Sequence, residues 1–156
     1  MSVSTARGTT DGRSLVSEEL FSRLTARVAS DHRELAADMP IRIVDQALAF
    51  LGACAVSTEP IGPSDLVDIG WHTFILYTRE YAEFCDRVAG RFIHHQPDDA
   101  PGDGWPNTPE SDGVPISSAV KAIRAAGFRL DADLWNVSAT SDCTQCHAGC
   151  HDSPGR

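Results

Sequence analysis

Apolar side chains return at helical spacing from residue 15 onward. Leu15, Val16, Leu20, Phe21, Leu24 and Val28 recur every three or four positions with charged and small polar residues between them. That period predicts an amphipathic helix across SLVSEELFSRLTARVASDHREL, with Ser17 ahead of Glu18 and Glu19 marking its start. A second period runs through IRIVDQALAFLGACAV, where Ile41, Val44, Leu48, Leu51 and Ala55 share a face. Asp38 before Met39 and Pro40 supplies an N-cap and a first-turn proline. This helix is expected to be the most buried. Cys54 lies on or beside its apolar stripe, which assigns the thiol to packing.

After the loop EPIGPS, Ser64 caps a third periodic stretch, DLVDIGWHTFILYTREYAEFCDRVAG, which stops at Gly90. The pattern then gives way to HHQPDDAPGDGWPNTPESDGVP, which holds five of the nine prolines and reads as an irregular loop. ISSAVKAIRAAGF restores the helical period, with Ser117 or Ser118 as cap and Gly127 as stop. No strand-like alternation longer than a few residues and no internal repeat interrupts this order. The expected fold is therefore all-α, a small bundle of four to five helices. Residues 1–13 read as a disordered lead-in, 14–130 as the helical domain and 131–156 as a C-terminal segment rich in Cys and His.

Composition narrows the partners. The chain has 156 residues, 42% of them hydrophobic, enough for one core. Thirteen Lys and Arg against 22 Asp and Glu leave a formal charge of -9, which disfavours nucleic acid and anionic membrane surfaces and leaves a protein or small molecule as partner. The first fourteen residues contain no apolar run resembling a signal segment, and no stretch approaches the roughly 18 uninterrupted apolar residues of a membrane span. The expectation is a cytoplasmic protein with reduced thiols, for which five cysteines serve packing, metal or redox chemistry.

Candidate chemistry falls in two places. Asp68 and His72 are four apart, on one helical face, and His94 and His95 follow the helix. On one straight helix His72 and Gly90 would stand about 27 Å apart. The four residues from Gly90 to His94 span at most about 14 Å, so such a helix keeps the two groups separate. A break near Tyr77 and Thr78, with Thr78 capping a second segment, returns the chain some 18 Å and makes a helical hairpin over 64–90. Asp68, His72, His94 and His95 would then share a metal. The other reading is a carboxylate that merely satisfies an imidazole. Trp71, Phe74, Ile75, Tyr81, Phe84 and Cys85 read as packing.

The second place is DCTQCHAGCHDSPGR. Cys143, Cys146, His147, Cys150 and His151 would fall within an arc of roughly 140° on a helix. Three thiolates and an imidazole make a Cys3His zinc set. An iron-sulfur cluster, a copper or redox thiol tail and a tail without a ligand remain open beside it. CTQCH also matches a haem attachment motif, which the lack of an export signal disfavours.

The stretch VDIGWHTFILYTREYAEFCDRVAGRFIHHQP resembles the glycine-rich-domain protein family, in which an Asp and a Trp-His pair precede a Tyr, a Phe-Cys pair, a Gly and a His before Pro. The resemblance spans Val67 to Pro97. It implies a helical fold and marks Asp68, Trp71, His72, Tyr81, Cys85, Gly90 and His94 or His95 as motif positions. The chain lacks the glycine-rich region of the long members, and the resemblance implies no defined activity.

Two functions follow. In one, a metal, zinc before iron or copper, is structural in a protein with an interaction or regulatory role. In the other, Asp68, His72 and His94 or His95 form a two-His-one-carboxylate centre of a metalloenzyme, zinc or non-haem iron, with residues 96–115 as lid and Trp105 or Trp135 lining a pocket. No Ser-His-Asp order, P-loop or dinucleotide fingerprint appears.

Overall fold

Two of the five described helices start at a serine whose side chain accepts one of the first free amides. In the computed structural model, which describes residues 8–95 and 115–136, the Ser17 hydroxyl accepts from the Leu20 amide and opens α1 (Glu18–Asp31). Glu18 and Glu19 lie in its first turn, where negative charge meets the positive end of the helix. Phe21, Leu24 and Val28 turn inward from this helix. Ser64 plays the same capping part for α3 (Asp65–Leu76), accepting from Val67 N. Its hydroxyl also donates to the Leu134 carbonyl, so one buried side chain joins the start of α3 to a remote segment.

Between them runs α2 (Met39–Val56), the central helix, which contacts every other helix of the described body. Asp38 stands at its N-cap position but makes no cap bond; its carboxylate instead accepts from Arg42, one turn on. By length and composition α2 would suit a membrane span, yet 61% of it is buried inside the bundle, from Ile43 to Ala53 almost without interruption. It is the core helix. Gly70 lets α3 lie close on it: a Cβ there would stand 2.7 Å from the Ala47 Cβ and 3.0 Å from the Ile43 carbonyl oxygen.

The chain breaks at Tyr77, which alone separates α3 from α4 (Thr78–Ala89). Tyr77 leaves helical geometry at φ -88°, ψ 67°, and Thr78 is the first residue of the new helix rather than its cap. Phe74 packs edge-on against both Tyr81 and Phe84, holding α4 to α3 across the joint. Gly90 ends α4 in the left-handed region (φ 67°), and residues 92–95 run on without helix or strand. The last helix, α5 (Ile116–Ala125), starts after Pro115 with Ser117 and Ser118 inside it rather than capping it, and Gly127 (φ 87°) follows its end.

Residues 10–13, read as lead-in from the sequence, contact the helical body. Thr10 exchanges backbone hydrogen bonds with Gly127 and Arg129, and residues Gly12–Leu15 form a 3-10 turn packed on α2. Gly12 carries this contact, because a Cβ would stand 2.1 Å from the Asp45 carbonyl oxygen. At the other end a second 3-10 turn, Ala132–Trp135, is clasped by Gln46. The Gln46 amide donates to the Arg129 carbonyl and its oxygen accepts from Asp131 N and Trp135 Nε1. Trp135 is fully buried against Phe50, so it is a core residue and not a pocket wall. The described residues thus form an all-α fold of five helices. The loop residues 96–114, with Trp105, and the run Cys143, Cys146, His147, Cys150 and His151 lie outside them.

Candidate metal centre

Helix α3 sets two donors by its own period. Asp68 and His72 stand one turn apart, and the His72 Nδ1 atom lies 3.1 Å from Asp68 Oδ2. The third donor arrives from the extended segment after α4. His95 Nε2 lies 2.7 Å from Asp68 Oδ1, so each carboxylate oxygen faces a different imidazole. The two rings are 4.2 Å apart, centroid to centroid. One ligand atom from each of Asp68, His72 and His95 lies within 4.8 Å of the others.

His94 is not part of this group. Along 92–95 exposure alternates, Phe92 and His94 outward, Ile93 and His95 inward, as the period of an extended chain requires. The His94 ring rests on Phe92 instead, at 4.7 Å. The break at Tyr77 brings the return segment to α3, as the reach argument demands. Neighbouring histidines in an extended segment nevertheless face opposite ways, so only one of the pair can reach Asp68.

The surroundings are asymmetric. His95 has a side chain only 14% exposed and lies against the Trp71 ring at 4.4 Å, while the His72 side chain is 60% exposed. Trp71 is in turn packed on Phe50. One side of the cluster is therefore an aromatic wall and the other opens to solvent. Below the wall, Trp71 Nε1 donates to the Tyr81 hydroxyl, which donates to the Ile93 carbonyl. Burial raises the Tyr81 phenol above its ordinary value, so it stays a neutral donor and acceptor at physiological pH. The sequence places Tyr81 among the core aromatics; that a buried tyrosine needs a partner for its hydroxyl is the signal pointing further.

The cysteines of the helical body stand apart from this chemistry. Cys85 is buried, and Cys54 packs against the core with its thiol pushed up to about 12, chiefly by burial. Neither belongs to the Asp68, His72 and His95 cluster.

Fold and site together define a small helical protein with a carboxylate and two imidazoles converging on one face of α3. The chain belongs to the UCP032817-like family, whose model matches residues 12–110 and so includes all three donors. Comparison with curated proteins and with solved structures gave no match.

Proposed function

We propose that the protein binds a divalent transition metal through Asp68, His72 and His95, with zinc as the expected ion and iron or copper as alternatives. The observation that carries this is convergence: three donor atoms of the right types, from two elements, within 4.8 Å of one another. A zinc ion with bonds of about 2.0–2.2 Å holds its ligand atoms roughly 3–3.5 Å apart. Side-chain adjustments of about 1 Å would turn the present hydrogen-bonded triangle into that geometry. A single Asp satisfying a single imidazole would need no second ring on its other oxygen.

The exposed edge of His72 favours a centre with exchangeable positions facing solvent. Three protein ligands and open positions are the pattern of catalytic zinc and of two-His-one-carboxylate iron sites, so a metalloenzyme is the second reading, beside a structural or regulatory metal. The likeness of Val67–Pro97 to the glycine-rich-domain pattern adds the helical context of these residues but no reaction.

The test is metal content of the full chain, purified without added metal, beside His72→Ala and Cys146→Ser. Loss in His72→Ala with retention in Cys146→Ser supports the proposal. Loss only in Cys146→Ser would place the metal at the terminal run, and full retention in both would overturn the reading. Absorption then separates colourless zinc from iron or copper.

A further inference from the structure

We propose that Tyr81 is a positioning residue for the metal centre, holding His95 against Asp68 through the Ile93 carbonyl; this rests on the metal-binding reading of that cluster. His95 is the ligand that needs such help. Asp68 and His72 inherit their spacing from α3, whereas His95 follows Gly90 on a segment with no ladder of its own. Ordering such a segment costs backbone entropy, a cost that falls on metal binding unless the segment is fixed beforehand.

The structure shows what fixes it. At the near end Arg91 donates to the Cys54 carbonyl at the end of α2, 2.9 Å away. Two residues on, the Ile93 side chain is buried and its carbonyl accepts from the Tyr81 hydroxyl. The direction of this relay is forced: an indole Nε1 can only donate, so Trp71 gives its proton to the Tyr81 oxygen, and the single phenolic proton goes to Ile93. Trp71 closes the loop, because its ring supports the His95 imidazole at 4.4 Å. Tyr81 on α4, Trp71 on α3 and the 93–95 segment thus form one unit, and the ring of His95 is placed by both its backbone and the tilted Trp71 ring beside it. The Tyr81 hydroxyl itself is engaged by Trp71 and the Ile93 carbonyl.

The experiment titrates the full-length chain with Zn2+ and reads the His72 ring signals by 1H–15N NMR, which reports this site apart from the terminal histidines. Tyr81→Phe keeps the ring and removes only the hydroxyl. Partners that orient a ligand typically change metal affinity by about 10- to 100-fold. The expected result is an affinity loss of about tenfold in Tyr81→Phe that disappears when His95→Ala is already present. Equal affinity in wild type and Tyr81→Phe would overturn the positioning role while leaving the metal site intact. An equal loss with and without His95 would also overturn it, showing a general packing effect. Failure of the wild-type His72 signals to respond to Zn2+ would overturn the metal reading, and this proposal with it. Should Tyr81→Phe not fold, the wild-type chain decides: a Tyr81 hydroxyl held between Trp71 and Ile93 must give a slowly exchanging proton signal that moves when Zn2+ is added, and an absent or unmoved signal would overturn the role.

Discussion

His72 and His95 belong to different elements, yet their rings lie 4.2 Å apart across the Asp68 carboxylate. Helix α3 provides one, and the chain must break at Tyr77 and return along α4 to provide the other. The pair therefore depends on the whole third and fourth helices, not on a local motif.

Adjacent histidines should behave differently. His95→Ala is expected to weaken Zn2+ binding at the His72 ring at least about tenfold, because a ligand is lost, while His94→Ala leaves it unchanged. Calorimetric or NMR titration of the two variants decides this, and equal effects would contradict the outward placement of His94.

Gly70 should tolerate no larger residue. Gly70→Ala places a methyl 2.7 Å from the Ala47 Cβ, so α3 must move off α2. Overpacking of this kind costs about 1–3 kcal/mol, read as a lower urea midpoint. An unchanged midpoint would show that the two helices part easily.

The Gln46 clasp predicts a larger loss. Gln46→Leu strands the buried Trp135 Nε1 and leaves Asp131 N and the Arg129 carbonyl without this partner. Unsatisfied buried groups cost about 1–3 kcal/mol each, so destabilisation of roughly 2–4 kcal/mol is expected in chemical denaturation.

Acid should loosen the same region. Arg42 forks onto both oxygens of Asp131 and holds its carboxyl below the usual range, chiefly by hydrogen bonding. A folded pKa below the unfolded value of about 3.9 means that the pair stabilises the fold above that pH. The contribution fades as pH falls from there through the lower folded pKa. The stability difference between wild type and Asp131→Asn should be flat near neutrality and shrink below about pH 4. A difference that persists unchanged in stronger acid would exclude the ion pair as its source.

Cys54 should be slow to alkylate. With its thiol pushed up to about 12, almost none is thiolate at pH 7, and the thiolate is the reactive form. Peptide mass mapping after brief iodoacetamide treatment should find Cys54 unmodified in the native protein and modified in urea. Rapid native labelling would contradict its packing against the core.

Much of the frame is legible because helix signals are local. Ser17 and Ser64 stand where hydroxyl caps belong, Gly90 and Gly127 follow helix ends, and the Tyr77 break is what chain length and reach require if Asp68 and His72 are to meet a later histidine. What escapes the sequence is tertiary. Nothing in a polar lead-in foretells that Thr10 pairs with Phe128, since a bridge is defined by its remote partner. Gln46 lies on an apolar helix and reads as an exception until the carbonyl and amides it satisfies are in place. Asp68 and His72 are visible as a helical pair. The choice of His95 over His94 requires knowing that 92–95 is extended, because only then does a period of two separate them.

Trp71 lies against His95 at the edge of the cluster, whereas Trp135 is held by Gln46 and Phe50 in the core. An indole in contact with an imidazole loses emission when that ring gains charge, so Trp71 and Trp135, two of the chain's three tryptophans, are optically unequal. The molecule thereby carries its own gauge: light from Trp71 registers events at the carboxylate and its two rings, and light from Trp135 registers whether the chain is folded.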